Sequence, residues 1–409
     1  MNCINFLKNE KLLLKIALGI SAVWIVAQIV LIAYFWKHPQ ISDMGAYITM
    51  AWNCFNNNQW YPMAKDVYSD FIWAPGYINY LVLQIRIFGT LNFNAVLNLF
   101  LNIAILLEVY YLGKKFFSKR TGLISVIIFC LFYSNLFIVL GANTENPFLF
   151  LCLSALCLVF SGKWKLVIGA ALLFAIANWI RPLATIFLFA SAVYFFITKA
   201  KFYNYIALII PYILVIFIIG TITEKKIGYF VYQSTTSGYN LLMTSNPNAN
   251  GYYQYIFGKG DVGFIENKKT MTFVEKDSIW KDRSFKWIKE HPLRYIGLFF
   301  KKIPILYVNN NWGDVSHRRS EAELINGESK FLKEAPYSIP YYLTILLFFY
   351  SLWINRKEIL TVKSVFLVIL ITGTVITCLF PAMPRYHYPF IFTVILYAAW
   401  GLDVKTSAS

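Results

Sequence analysis

Leu12 to Phe35 is an apolar run broken by a single charge, Lys15, and runs of comparable length recur along most of the chain. No other feature restricts the fold as strongly. In hydrocarbon every backbone amide needs an internal partner, so a chain made of such runs has to bundle α-helices across a bilayer. Composition agrees: 58% of residues are hydrophobic, 19% aromatic and only 14% charged, where a soluble domain is about a quarter charged. The first run follows Lys8 and Lys11. It is longer than a signal h-region and lacks a small-residue cleavage site, so it is expected to remain as the first helix. The expected class is an all-α polytopic membrane protein.

The net charge of +17 would point to nucleic acid in a soluble chain. Here the positives fall in short loops between apolar runs, so the charge is topological and no nucleic-acid partner is expected. Cys130, Cys152, Cys157 and Cys378 lie inside apolar runs and Cys3 at the N-terminus. That leaves Cys54 alone outside, so neither a disulfide framework nor a thiolate metal site is expected.

Loop charge sets the topology. Lys114-Lys115-Phe116-Phe117-Ser118-Lys119-Arg120, Lys163 with Lys165, Lys199 with Lys201, Arg356-Lys357 with Lys363, and Lys405 should all be cytoplasmic. One further crossing must therefore separate Phe35 from Lys114. Pro75 to Phe88 begins at a proline, carries Arg86 and is too short for a core of roughly 30 Å. It is placed at the outer interface, and Asn92 to Gly113 crosses. Further spans follow at 121–141, 146–161, 164–180, 183–198, 204–223, 338–354, 364–380 and 386–402, about ten crossings in all with both termini inside. The layout is a transmembrane catalytic module (1–223) with a first outer loop (36–91), an extracytoplasmic stretch (224–337) and C-terminal transmembrane helices (338–409). Arg294 to Tyr307 is apolar but holds Lys301 and Lys302, so it is expected to lie on the membrane rather than cross it. No internal repeat is evident, and the Gly/Pro-broken helix pairs of inverted-repeat transporters are not found.

On this topology the uncommon polar residues collect at the outer surface. Asp43, with Asp66 and Asp70, lies in the first outer loop. Glu145 sits in Asn143-Thr144-Glu145-Asn146-Pro147, Arg181-Pro182 joins two spans, and Arg385-Tyr386-His387-Tyr388 opens the last. Each has an ordinary reading as well. Ser42-Asp43 is a good helix start, Glu145 before Pro147 can cap a span, the arginines can snorkel, and His387 can be a belt residue. Glu108 is expected to snorkel toward Lys114 and Lys115 and is given no function. Taken together, two guanidinium groups suit a lipid phosphate, which they bind in a forked geometry. A carboxylate beside them can take a proton from an acceptor hydroxyl. That combination points to sugar transfer from a polyprenyl-phosphate carrier. The sequence has no P-loop and no GxGxxG after a strand, in keeping with a reaction that uses no nucleotide.

These residues resemble the GT-C superfamily of integral-membrane glycosyltransferases, nearest the protein O-mannosyltransferase and lipid A aminoarabinose transferase branch. The likeness rests on Ser42-Asp43-Met44-Gly45-Ala46-Tyr47, on Trp73-Ala74-Pro75-Gly76-Tyr77 running to Ile87-Phe88-Gly89, on Asn143-Thr144-Glu145-Asn146-Pro147, and on Arg181-Pro182 with Arg385-Tyr386. It implies a GT-C fold and an inverting transfer with Asp43 as base. Glu145 would be a second catalytic acid. Arg181, Arg385, Tyr386 and His387 would bind the donor phosphate, and Tyr47 and Tyr77 would contact substrate. Many relatives carry a second acid directly after the first. Here Met44 stands in its place, so no metal ligand is assigned, and a divalent metal is the one cofactor left open.

The expected function is transfer of one sugar from an undecaprenyl-phosphate donor to an extracytoplasmic acceptor, a cell-wall or surface glycopolymer, lipid or protein. Little Ala and Gly with much Lys, Asn, Ile and Phe suggests an AT-rich bacterial genome, hence the plasma membrane of a bacterium. A transporter or flippase for a lipid-linked saccharide would place charges within the spans, which apart from Glu108 are nearly free of them. A polysaccharide polymerase or ligase would share the arginines and differ in acceptor. In the 224–337 stretch, Asn240, Asn246, Asn248 and Asn250 among Tyr239, Tyr252, Tyr253 and Tyr255 suit sugar contact or a plain solvated loop.

Overall fold

The computed structural model describes residues 9–36, 40, 42–308, 310 and 331–407, without the side chains of 331–337 and 404–407. His38, Pro39 and Ile41 of the first outer run, residues 309 and 311–330 of the outer stretch, and the Lys405 side chain lie outside that description. The described residues are helical, with one isolated bridge between Tyr252 and Ala382. The helices are α1 (Glu10–Tyr34), α2 (Ser42–Asn56), α3 (Pro75–Phe88), α4 (Asn94–Phe116), α5 (Lys119–Leu131), α6 (Tyr133–Phe137), α7 (Glu145–Val159), α8 (Trp164–Ile180), α9 (Ala184–Ile197) and α10 (Phe202–Ile227). They continue as α11 (Ser237–Thr244), α12 (Phe273–Glu290), α13 (Pro292–Tyr307), α14 (Phe331–Ile354), α15 (Ser364–Cys378) and α16 (Ile391–Ser407).

Three of these, α1, α4 and α10, are long and apolar enough to cross a membrane, and a fourth span results if α5 and the bent segment after it count as one. α7, α8, α9, α15 and Ser338–Ile354 are apolar but shorter. These lengths show a helical membrane protein, and the expected ten crossings go further than they do. α10 exposes Ile209, Ile210, Ile213, Phe217 and Ile222, a face too large and apolar for water but suited to lipid. The centre is α16, buried without interruption from Ile391 to Trp400. It packs against α5 and α14, while α7 and α8 pack on each other beside α4 and α10. Two of the expected cytoplasmic loops, 114–120 and 356–363, meet at the far end of α16. There Arg120 pairs with Asp403 at 3.1 Å, and the Lys363 ammonium lies 4.0 Å from the Trp400 ring.

The expected single span 121–141 is instead a broken helix. α5 stops at Leu131, the chain bends by 72°, and it continues through α6 and a 3-10 turn at Ile138–Leu140. No glycine or proline marks the break, so a search for those residues passes over it. Irregular backbone at membrane depth survives only where protein satisfies it, and asparagines do so here. Asn94, Asn98 and Asn102 are four residues apart on one buried face of α4. Asn98 donates to Gly141 O at 2.9 Å and Val139 O at 3.2 Å. Asn102 donates to Asn135 O at 2.7 Å and to Gln28 Oε1 at 2.8 Å. Asn135 and Asn143 close the remaining turns by donating to Phe129 O and Ile138 O, each at 2.9 Å. The ladder delivers Asn143-Thr144-Glu145 to the start of α7.

Four further expectations change in detail. α3 has the predicted limits but is largely buried between α2 and α8. A Cβ on Gly76 would stand 2.6 Å from the Trp179 backbone, so the Pro-Gly-Tyr entry is a close helix contact as well as a helix start. The 224–337 stretch is no open loop. α11 and α12 form a small lobe around Tyr239, Phe257 and Trp280, with the Tyr239 and Phe257 rings stacked at 3.9 Å. Its asparagines mostly build turns, Asn246 donating to Leu242 O at 2.8 Å and Asn248 N–H to Asn246 Oδ1 at 2.8 Å. In α13 Leu293, Ile296 and Phe300 are exposed on one face, as an interfacial helix requires, but Lys302 is buried and donates to Cys378 O at 2.9 Å. Glu108 does not reach Lys114 or Lys115. It accepts a hydrogen bond from Ser154 of α7, which lies beside it, whereas those lysines lie nearly two turns along α4.

Candidate active site

Four chain segments far apart in sequence end at one place, and each ends there for a local reason. α2 begins at Ser42, whose φ of +56° places it in the left-handed region, and Asp43 occupies its first turn, where a carboxylate is favoured by the helix dipole. Glu145 opens α7 for the same reason. Arg181 closes α8, its N–H bonded to Ala177 O at 2.8 Å. A cation suits that end of a helix, and Pro182 prevents another turn. Arg385 lies in a 3-10 turn, Pro384–Phe390, that leads into α16.

The structure pairs these groups in two ways. Asp43 is ion-paired with Arg385. Glu145 is ion-paired with Arg181 at 2.6 Å, and Thr144 Oγ1 accepts from the same guanidinium at 3.3 Å. Both guanidinium carbons stand over the Tyr386 ring, at 5.4 Å for Arg181 and 5.3 Å for Arg385, within cation–π range. The pairs differ in burial. The side chains of Glu145 and Arg181 are 4% and 12% exposed, those of Asp43 and Arg385 31% and 26%. Breaking a buried pair by removing one partner costs about 3–5 kcal/mol, whereas a partly exposed pair contributes about 0–1 kcal/mol. Glu145–Arg181 therefore frames the site, and Asp43–Arg385 is the pair that can change.

Tyr47, one turn after Asp43, lies against Trp73 and Tyr77 in edge contacts with ring centroids at 5.5 and 5.3 Å. Burial raises its phenol well above the usual value, with Asp43, Arg385, Glu145 and Arg181 all acting on it. All four charges thus surround this ring. Tyr77 is fully buried and its hydroxyl has no partner among the described residues. His387 is placed differently from its neighbours. It is fully buried, with Nδ1 at 2.7 Å from Leu306 O and Nε2 at 3.3 Å from Asn310 Oδ1. Its ring stacks between Tyr307 and Tyr341. Both ring nitrogens are thus engaged away from the paired charges, and neither is left to meet a phosphate. The resemblance had put it in the phosphate site. The structure makes it a peg joining the Arg385 turn to α13.

Asp66 and Asp70 stay away from the pairs. Asp66 accepts Met63 N–H at 2.7 Å, and Asp70 holds Lys268 at 3.1 Å and the buried Lys276 at 3.5 Å. Lys276 also donates to Tyr68 O and Ser69 O, so the lobe grips the first loop. Sequence reasoning passed over Gln40, Thr144 and the α4 asparagines. Gln40 donates to Leu140 O at 3.2 Å and accepts Ala142 N–H at 3.3 Å, joining the Asp43 segment to the Glu145 segment. Gly141 lies where a Cβ would be 2.9 Å from Met44 Sδ. The signal for the ladder was the spacing Asn94, Asn98, Asn102 in an apolar helix. For a divalent metal the fit is poor: both acids are engaged by arginines, and no three His, Cys, Asp or Glu side chains gather among the described residues.

No family model and no curated protein matches the sequence. The fold is similar to the crystal structure of the Archaeoglobus fulgidus oligosaccharyltransferase in its apo form, with a TM-score of 0.55 and 13% identity, over 96% of this chain. The chain spans about half of that protein, 51% of its length. The likeness shows a shared fold and does not by itself choose a family or an activity for this chain.

Proposed function

We propose that the protein is a GT-C glycosyltransferase that moves one sugar from a polyprenyl-phosphate donor, undecaprenyl phosphate in a bacterium, to an extracytoplasmic acceptor with inversion. The observation that carries this reading is the pair of carboxylate–guanidinium contacts gathered on Tyr386. Arg385 and Arg181 suit the donor phosphate, since a guanidinium stays charged and offers forked donors. The acceptor hydroxyl oxygen attacks the anomeric carbon while the bond from that carbon to the phosphate oxygen breaks. Asp43 takes the hydroxyl proton, and the electron pair leaves on the phosphate, giving polyprenyl phosphate. Glu145 holds Arg181 rather than taking the proton. Tyr47 and Tyr77 line the sugar side.

The active site would face the outside of the plasma membrane. The basic loops 114–120 and 356–363 belong to the other end of α16, and positive loops stay in the cytoplasm. The domain layout is proposed as read from the sequence, with α11 and α12 as an outer lobe over the site. The acceptor is an extracytoplasmic glycopolymer, lipid or protein.

The test is a donor screen. Purified protein in lipid discs is incubated with radiolabelled undecaprenyl-phosphate sugars and a membrane extract as acceptor source. Release of undecaprenyl phosphate together with label in a new product supports the reading. Label that only changes leaflet in sealed vesicles, with the donor intact, replaces it with a flippase.

A further inference from the structure

Resting on that reading, we propose that the Asp43–Arg385 ion pair is a latch opened by an anionic lipid phosphate, so that donor must bind before Asp43 can act on an acceptor. A guanidinium N–H on one carboxylate oxygen competes with an acceptor hydroxyl for that oxygen and leaves the second as the open one. In the structure Asp43 is in that position. The latch is also the weaker of the two pairs. It is partly exposed, while Glu145–Arg181 is nearly closed and shares Thr144.

Arg385 meets Asp43 through one terminal amino group, and its Nε–H is buried without a partner among the described residues. A guanidinium prefers two parallel bonds to an oxyanion. Here it makes one with its forked face incomplete, so a phosphate with several oxygens is the better partner. Tyr386 supports Arg385 from the ring side in the closed state, and Arg181, held by Glu145, adds a second cation at the same ring. Arrival of a phosphate transfers Arg385 from carboxylate to phosphate and frees the Asp43 oxygen. The site then becomes a base only when a sugar is present to be attacked, which makes binding ordered, donor first. The donor is a phosphodiester with one negative charge. The released monoester carries between one and two, so product holds the latch open until it leaves and competes with the next donor.

The experiment reads Asp43 reactivity directly. Full-length protein in lipid discs is treated with a water-soluble carbodiimide and an amine, with and without saturating undecaprenyl phosphate or the uncharged undecaprenol. Modification at Asp43 is then quantified by mass spectrometry. Undecaprenyl phosphate should raise it about 3- to 5-fold, the shift that the modest stability of a partly exposed pair permits, and undecaprenol should not. In Arg385→Ala, Asp43 should be reactive without lipid and unresponsive to it. The wild-type arm needs no substitution and stands if that variant fails to fold. Undecaprenyl phosphate that binds but leaves Asp43 no more reactive overturns the latch while the phosphate reading survives. So does an Arg385→Ala protein in which Asp43 is as protected as in the wild type. Failure of undecaprenyl phosphate to bind overturns the phosphate reading and the latch with it.

Discussion

Asp43 and Glu145 are both carboxylates in the first turn of a helix and both meet an arginine, yet burial gives them different work. Glu145 is 3% exposed and its charge has no solvent to fall back on. Glu145→Gln should therefore act on stability, costing about 3–5 kcal/mol as the Arg181 charge loses its partner. Asp43→Asn should cost no more than about 1 kcal/mol. Thermal unfolding of both variants in detergent checks this contrast, and equal losses would contradict the division between frame and working pair. These four charges were legible in the sequence because each sits at a helix end with its own signal: Ser42 before Asp43, Pro147 after Glu145, Pro182 after Arg181, Pro384 before Arg385. Who pairs with whom was not legible, since nothing local distinguishes Arg181 from Arg385. His387 misled for a related reason. Its neighbours face the site, and only the packing of Tyr307 and Tyr341 around it shows that its ring turns the other way.

At the scale of elements, the broken segment between α5 and α7 carries the most weight. Asn98 meets its carbonyl at Val139 and, together with Asn143, its carbonyl at Gly141, and Asn146 returns a bond to Asn98 O at 2.9 Å. Asn98→Leu keeps the branched shape of the side chain and leaves the Val139 carbonyl without its side-chain donor, at about 1–3 kcal/mol. Because that segment also sets Glu145, turnover should fall more in this variant than in a control such as Leu97→Ala at a neighbouring position of the same helix. Paired unfolding and rate measurements test it, and a stable, fully active Asn98→Leu protein would remove the ladder's role. Polar residues four apart in an apolar run are the visible trace of such a break. Periodicity alone reads them as blemishes in a span, which is why 121–141 looked continuous.

At the scale of the whole molecule, the long apolar runs predicted the helical membrane class, and the fold agrees with it. The lobe of α11 and α12 was the least legible part. Its core of Tyr239, Phe257 and Trp280 is assembled from residues far apart in a mostly polar stretch, with no period to reveal it. Its grip on the first loop through Lys276 depends on contacts across more than two hundred positions of sequence. Orientation is checked with single cysteines in intact cells. A membrane-impermeant maleimide should label Tyr253→Cys, on the exposed side of the lobe, and spare Lys357→Cys in the basic loop between α14 and α15. Labelling of Lys357→Cys from outside would invert the topology and place the paired charges on the cytoplasmic face.

The central claim is that Asp43 accepts the proton in sugar transfer from a lipid phosphate, and one comparison addresses it most directly. Single-turnover transfer from an undecaprenyl-phosphate sugar is measured for wild type and Asp43→Asn at saturating donor, alongside undecaprenyl phosphate binding by the same two proteins. Asparagine keeps the size of the side chain and cannot take the proton. The rate should fall by about 10²–10⁴-fold, with binding no weaker than in the wild type because Arg385 is left free. A transfer rate close to wild type in Asp43→Asn would contradict the account.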